Sequence, residues 1–294
     1  MNENQYYSVT GLGNGITQIR DIFGVQAYLV EGKERAALID TLVGFGNLKE
    51  VVESLTSLPV VVLNTHGHVD HAGGNYAFDH VYLSKEDYDL AQRTTTVQFR
   101  MKFADYAAKQ MGLPRTWDDH DFTAPRDIKY YFLEDGQRIE LGARTLEAIA
   151  VPGHTKGSVA FLDHCTNGLF IGDACNPSTF LFDQDATPVS LYRDSLLRLK
   201  KRYPEGIERM YLCHVMAECS YGCVDDVIEA CELVLSGKDS KQPFVFGFDE
   251  ESSKGAIWGC PVDEKGMRKD GKFGNIIFNK DRSFFSASPS PIIP

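Results

Sequence analysis

Three short stretches near the start of the chain alternate apolar with polar residues, namely 16–21, 25–31 and 35–40. Alternation with a period of two is typical of β-strands that bury one face. Residues 47–55 instead place apolar side chains at helical spacing, and the apolar run 60–63 indicates a buried strand. Strands followed by a helix and another strand predict a layered α/β fold.

The rest of the chain continues the mixture of strands and helices. We predict strands over 81–84, 130–133, 138–141, 145–151, 158–163, 169–171 and 210–213, and helices over 190–202 and 224–235. An irregular C-terminal extension, 242–294, contains two further predicted strands, 244–248 and 275–279. We expect a single domain over 1–294.

Residues 85–128 form a predicted helical insert. Ser84 and Asp87 have the spacing of a capping box, with aspartate in place of the more usual glutamate. The apolar side chains of the insert fit two interpretations. They face the core, or they form a lid over a pocket, since long inserts between strands that carry ligand-type residues are often functional.

The densest chemistry follows directly after the buried strand at 60–63. Residues 65–74 contain His66, His68, Asp70 and His71. Side chains two apart in extended backbone point to the same side, so the first two histidines can converge on one point. Asp70 and His71 lie past a bend and can face a second point. Imidazole with carboxylate is a ligand mixture that suits zinc, iron or manganese.

Other ligand-type side chains stand where further predicted strands end: Asp40, His154, Asp173 and His214. In layered α/β folds, sites collect where strands end and loops begin. We therefore predict two metal ions. One takes His66, His68 and His154, the other takes Asp70, His71 and His214, and Asp173 bridges both. Each ion keeps a position for water, as catalytic sites require.

Composition narrows the class of protein. The chain has 294 residues, of which 43% are hydrophobic and 24% charged, so it has ample material for a core. A net charge of -11 disfavours nucleic acid as a partner, because phosphate backbones need a basic face. No apolar run is long enough to span a bilayer. Seven cysteines without a disulfide-scaffold spacing, and residues 1–10 without a signal-like apolar stretch, predict a cytoplasmic location.

The motif at 65–74, followed in order by Gly153-His154-Thr155, Gly172-Asp173 and His214, resembles the metallo-β-lactamase fold superfamily from about residue 15 to 235. The resemblance implies a four-layer αββα sandwich of two mixed β-sheets flanked by helices, with a dinuclear site at one edge. It also implies that Asp40 hydrogen-bonds a ligand loop, and we place Thr65 and Thr155 in similar supporting positions.

Among the subgroups, glyoxalase II-like hydrolases are the nearest, because they share the motif at 65–74 and the turn at 153–155. Residues 175–179 replace the glycine, cysteine and basic residues that help such enzymes hold glutathione. Acyl-homoserine lactonases place a tyrosine where Asn176 stands here. The resemblance therefore leaves the substrate open.

The expected function is that of a metal-dependent hydrolase. A hydroxide bridging two divalent ions, most simply Zn with Fe or Mn as alternatives, cleaves a small ester, thioester, lactone or amide. Asp70 either orients that hydroxide and moves its proton or serves only as a ligand. Alternatives are an iron-dependent redox or dioxygen enzyme, a phosphodiesterase, and a metal-binding module without catalysis. We expect a small-molecule substrate, bound by residues not assigned from sequence, and leave a homodimer open.

Overall fold

The computed structural model describes residues 6–113, 117–204 and 207–280. The chain divides into two compact units. The first consists of 1–151, 157–174 and 203–221, and the second of 152–156, 175–202 and 222–294. The single domain expected over 1–294 stays a prediction, and the end of the C-terminal extension, 281–294, lies outside the described residues.

The first unit contains two mixed β-sheets. The seven-stranded sheet runs in sequence order through β1 (Tyr7–Gly13), β2 (Ile16–Asp21), β3 (Gln26–Glu31), β4 (Ala36–Ile39), β5 (Val60–Leu63), β6 (His80–Ser84) and β7 (Lys129–Leu133). Adjacent strands of this sheet are antiparallel from β1 to β4 and parallel from β4 to β7.

The second sheet of this unit has six strands: β8 (Arg138–Glu140), β9 (Thr145–Ala150), β10 (Val159–Asp163), β11 (Gly168–Gly172), β13 (Arg209–Leu212) and β14 (Glu218–Cys219), in the order β14-β13-β11-β10-β9-β8. Only β11 and β13 are parallel. Apolar side chains of both sheets, among them Val61, Leu63, Phe161 and Phe170, share one buried core. Burial on both faces explains why β4, β5 and β11 are almost continuously apolar.

The helices of the first unit are α1 (Leu48–Leu55), α2 (Val69–Ala72), α3 (Tyr88–Thr94) and α4 (Val97–Gln110). Helix α1 begins where the Asn47 side chain accepts the N–H of Glu50, and it buries Leu48, Val51 and Val52 at helical spacing. Helices α3 and α4 lie in the connection between the parallel strands β6 and β7. A parallel pair needs such a crossover, so the predicted insert contains the connection that these two strands require.

The insert supplies core side chains. Trp117 and Phe122 are buried with Phe45 and α1, and Phe99 and Phe103 of α4 pack against the same cluster. This packing favours the core-facing interpretation of these residues over the lid. The predicted capping box is wrong, because Ser84 makes no cap hydrogen bond.

The second unit contains α5 (Val189–Arg202), α6 (Cys223–Leu235) and a three-stranded sheet in the order β12 (Thr179–Leu181), β16 (Ile276–Asn279) and β15 (Ala256–Trp258). The predicted strand at 244–248 is wrong: none of these five residues lies in a strand, and an isolated bridge joins the preceding Pro243 to Ile257. The N–H of Phe246 bonds the Ser253 hydroxyl instead of a neighbouring strand.

Four strands, β1, β12, β14 and β15, escaped prediction for physical reasons. Strand β1 exposes most of its residues at the edge of its sheet, so its sequence lacks the alternation of a half-buried strand. Strands β12 and β15 are only three residues long, and β14 has two residues. Within 6–113, 117–204 and 207–280, no helix has both the length and the apolar character that crossing a membrane would require.

Candidate metal centre

The motif at 65–74 passes from extended backbone into a short helix. Strand β5 ends at Leu63, His68 is still extended with φ -70° and ψ 158°, and α2 begins at the next residue. The His66 ring lies 4.9 Å from the His68 ring and 4.0 Å from the His71 ring, centroid to centroid. The bend therefore brings all three imidazoles of the motif together.

Four of the predicted ligands converge on one point. The Nε2 atom of His71 lies 3.7 Å from Asp70 Oδ2 and 3.7 Å from Asp173 Oδ2. The Nε2 atom of His214 lies 3.6 Å from Asp70 Oδ2 and 3.2 Å from Asp173 Oδ2. Asp70, His71 and His214 thus offer ligand atoms within 4.8 Å of one another, as do His66, His71 and Asp173.

This donor set fits a divalent cation. His71 Nε2 is fully buried and has no hydrogen-bond partner among the described residues. Its separations of 3.7 Å from two carboxylates exceed a hydrogen bond but leave space for an ion between them. Imidazole nitrogens with carboxylate oxygens are ligands of zinc and of the neighbouring transition metals.

Asp40 organises the rings from behind. Its Oδ1 accepts the Thr65 N–H at 2.7 Å, and its Oδ2 accepts the Thr65 hydroxyl at 2.7 Å and the His71 Nδ1–H at 2.8 Å. Because the Thr65 hydroxyl donates its hydrogen to Asp40, Thr65 Oγ1 acts as the acceptor for His66 Nδ1–H, 3.1 Å away. Both rings therefore carry their proton on Nδ1 and present Nε2 as a ligand atom.

The carboxylates also control the charge of the imidazoles. Burial lowers the pKa of His71, but the charges of Asp70, Asp40 and Asp173 outweigh burial, so the pKa is raised. For His214 burial again lowers the pKa, and Asp173 followed by Asp70 raises it overall. This negative surrounding favours a cation, whether a proton or a metal ion.

The His214 loop has an unusual backbone. Val215, which is 63% exposed, has φ +67°, and the N–H of Met216 bonds the His214 carbonyl at 2.8 Å. This is a γ-turn with positive φ at a β-branched residue, a rare and strained conformation. The Tyr28 hydroxyl lies at the base of the loop, within hydrogen-bonding distance of the carbonyls of Leu212 and Ala217.

Asp87 is a functional residue that sequence reasoning missed. Its Oδ2 accepts the N–H of Gly67, between the first two histidines, at 2.9 Å, and its Oδ1 accepts the N–H of Gly157 at 2.8 Å. A side chain on Gly67 would meet the Asp87 carbonyl at 2.7 Å, so only glycine fits this close approach. The sequence singled out Asp87 only as part of the predicted capping box, which the structure does not contain.

His154 and Thr155 belong to the second unit. The His154 ring donates Nδ1–H to the carbonyl of Phe180 at 2.9 Å, which directs Nε2 elsewhere, as in metal-binding histidines. Thr155 is buried, and its carbonyl accepts the N–H of Gly153 at 2.9 Å. The assignment of His154 to the metal centre, and of Thr155 to its support, stays a prediction.

The sequence as a whole was compared with known proteins. The family model described as the metallo-beta-lactamase superfamily matches residues 20–206. The chain belongs to the metallo-β-lactamase superfamily. It is 30% identical over 224 residues to acyl-coenzyme A thioesterase MBLAC2 of Homo sapiens, covering 70% of this chain and 80% of that protein. It is 27% identical to hydroxyacylglutathione hydrolase GloC of Haemophilus influenzae, covering 49% and 62%.

Solved metallo-β-lactamase structures share the fold. The metallo-beta-lactamase from Pontibacter korlensis superposes with a TM-score of 0.55 at 19% identity, covering 77% of this chain and 99% of that one. The α/β fold class, with mixed sheets and flanking helices in the αββα arrangement of the superfamily, is confirmed. The prediction of an enzyme, a hydrolase of this superfamily, is confirmed as well.

Proposed function

We propose that this metallo-β-lactamase superfamily member is a metal-dependent thioesterase that releases a carboxylic acid and a thiol from a small acyl thioester. The observation that carries the proposal is the convergence of Asp70, His71 and His214 within 4.8 Å, with His71 fixed by Asp40. The substrate class rests on two relatives whose names specify acyl groups on thiol carriers, coenzyme A and glutathione. The departure at 175–179 from the glutathione-binding pattern favours other carriers.

The proposed centre holds two divalent ions, with zinc the metal that the donor set suits best. The residues assigned to it are His66, His68 and His154 for one ion, Asp70, His71 and His214 for the other, and Asp173 between them. When bound, such ions supply a hydroxide at neutral pH and polarise the substrate carbonyl.

The side chains have separate tasks in this proposal. Asp70 Oδ2 lies 3.7 Å from His71 Nε2 and 3.6 Å from His214 Nε2, which supports Asp70 as a ligand and as acceptor of the proton from the attacking water. Asp40 and Thr65 keep Nδ1 of His71 and His66 protonated, so that both rings bind through Nε2. A thiolate leaving group has a low basicity, with a thiol pKa of about 8.5, and needs little acid assistance.

The test is a hydrolysis panel run with metal analysis. Protein purified without added metal is expected to contain zinc as its main metal, about two ions per chain, and to hydrolyse acyl thioesters faster than matched oxygen esters. His71→Ala should remove at least about a thousandfold of kcat/KM. His164→Ala is the matched control, because that histidine pairs with Glu147 at 2.8 Å outside the centre.

Three results would contradict the proposal. They are a metal-loaded protein that hydrolyses no thioester, a His71→Ala variant that stays active, and an equal loss in His164→Ala. Iron as the main metal, with turnover that consumes dioxygen, would support the redox alternative instead.

A further inference from the structure

Three arginine side chains are buried in the part of the chain that the structure describes, and two of them lie against a carboxylate. Arg144 donates Nη2–H to Asp163 Oδ2 at 2.6 Å, and Arg268 pairs with Asp270. Arg100 of α4 is the exception. It is 0% exposed, and no described carboxylate forms an ion pair with it. A charge buried without a counterion is rare, because removing it from water is costly.

Most of the hydrogen-bonding capacity of the Arg100 guanidinium is unused. Nη2 donates to the carbonyl of Thr123 at 2.8 Å. Nε and Nη1 are buried and have no hydrogen-bond partner within 6–113, 117–204 and 207–280. All five N–H donors of an arginine lie in one plane, so two of its three nitrogens lack an acceptor from the described chain. Buried donors of this kind indicate a bound water molecule or ion.

Two aromatic rings flank the guanidinium. Its Cζ atom lies 5.5 Å from the ring centroids of both Tyr76 and Phe122. The Thr95 hydroxyl donates to the carbonyl of Ala91 at 2.7 Å, so the Tyr76 hydroxyl donates to Thr95 Oγ1, 3.0 Å away, and the Tyr76 ring is held in place. Aromatic faces attract a cation but carry no net charge. They therefore offset the charge of Arg100 only in part.

The guanidinium keeps its charge. Burial lowers the pKa of Arg100 to about 10, and no described carboxylate opposes this shift. At neutral pH the group is therefore protonated. A water molecule can accept a hydrogen bond from Nε or Nη1 but leaves the positive charge uncompensated. An anion supplies both the acceptor and the opposite charge.

Burial limits the size of such an anion. Nε and Nη1 have almost no solvent-accessible area, so an anionic group attached to a larger molecule does not reach them. Tyr76 and Thr123, which lie against the guanidinium, are only partly buried. Arg100 therefore lies directly beneath the surface, where a small movement of these neighbours admits a single ion.

We propose that Arg100 binds a small inorganic anion, most simply chloride, at the N–H groups that the protein leaves without an acceptor. The anion neutralises the buried charge where α4 packs against Phe122 and Thr123. This site does not depend on the proposed thioesterase activity. An anion that binds the folded chain alone stabilises it by mass action, so stability should rise with the anion concentration.

The experiment measures thermal unfolding of the full-length, metal-loaded protein in sodium gluconate and in sodium chloride at equal ionic strength. The Tm of the wild type should rise by several degrees as chloride replaces gluconate, and bromide should act like chloride. Arg100→Met keeps an unbranched side chain without the charge and should lose this dependence. Arg138→Met, at an exposed position of β8, is the matched control and should retain it.

Chloride can also bind at a metal centre, and the variants distinguish the two places. Binding at the metal would stabilise Arg100→Met as much as the wild type, and that result overturns the proposal. A wild type with the same Tm in both salts overturns it as well. Loss of the dependence in Arg138→Met would indicate a general effect of surface charge and has the same consequence.

A second measurement needs no variant. Crystals of the wild type grown in bromide should show an anomalous scattering peak in hydrogen-bond contact with Nε or Nη1 of Arg100. A water molecule at those atoms, or no peak there at saturating bromide, would overturn the anion site even if Arg100→Met fails to fold.

Discussion

Two buried carboxylates hold the metal motif, and they do so in different ways. Asp40 bonds Thr65 and the ring of His71, so it reaches the side chain of a predicted metal ligand. Asp87 accepts the backbone N–H groups of Gly67 and Gly157. The first carboxylate sets the protonation and direction of the imidazoles, whereas the second fixes the position of the loop that carries them.

The difference separates electronic control from positional control. Replacing Asp40 should change the protonation of the imidazoles. Replacing Asp87 should change the position of the loop that carries them. Metal affinity responds mainly to the first kind of change, and conformational stability responds to both. Four substitutions or conditions test this separation.

The largest effect is expected for Asp40→Asn. An amide that still accepts the Thr65 N–H turns its NH₂ group towards His71 Nδ1, which must then accept and move its proton to the metal-facing Nε2. Zinc affinity should fall by about 10- to 100-fold, measured by competition with a chromophoric chelator. An unchanged zinc affinity with an unchanged fold would refute the orienting role.

Asp87→Asn should act on stability instead. One of the two backbone N–H groups would face an amide NH₂, and a buried donor without an acceptor costs about 1–3 kcal/mol. We expect the Tm to fall by several degrees while zinc affinity changes by less than about threefold. Asp89→Asn, at an exposed position of α3, should change neither quantity. A large loss of zinc affinity in Asp87→Asn would remove the distinction between the two carboxylates.

The metal-free protein should lose stability as the pH rises. The raised pKa of His71 means that the folded protein holds a proton that the unfolded chain, with a pKa of about 6.5, releases more easily. The stabilising contribution is complete below about pH 6.5 and is lost as the pH rises through the higher folded value. Thermal unfolding of chelator-treated protein between about pH 6 and 9 measures it.

The same titration compares the carboxylates directly. Asp40→Asn removes one of the charges that raise the pKa of His71, so its Tm should depend less on pH. The Tm of Asp87→Asn should depend on pH in the same way as that of the wild type, at a lower Tm throughout. Parallel curves for the wild type and Asp40→Asn would contradict the electronic role of Asp40.

The smallest effect is expected at Val215, which neither carboxylate contacts by a hydrogen bond. Glycine removes the strain of φ +67°, which stabilises the folded protein by about 1–3 kcal/mol. It also increases the conformational entropy of the unfolded chain, which costs about 0.4–1 kcal/mol of stability. Val215→Gly should raise the Tm by a few degrees with kcat/KM within about threefold. Met216→Gly has no positive φ to relieve and should lower the Tm. A fall in both variants would show that the Val215 turn is unstrained.

The sequence predicted those parts of the centre that local spacing or strand ends determine. His66, His68, Asp70 and His71 are neighbours in the chain, and Asp173 and His214 follow strands, so a common edge could be inferred. The position of Asp40 at a strand end was also visible, but its supporting role came from the resemblance to the superfamily.

The role of Asp87 could not be predicted from the sequence, because its two partners lie 20 and 70 residues away. Every residue except proline has a backbone N–H, so the sequence does not show which of these groups a carboxylate will bind. The segment at 244–248 illustrates a related limit. Its residues were predicted as a strand, but the sequence did not specify that the Ser253 hydroxyl takes the place of a neighbouring strand.

Gly67 stands between two of the predicted metal ligands, and a side chain there would meet the Asp87 carbonyl at 2.7 Å. The requirement for glycine comes from the close approach of two backbone segments and not from the reaction. A laboratory library randomised at this position should therefore return glycine whichever substrate is used for selection.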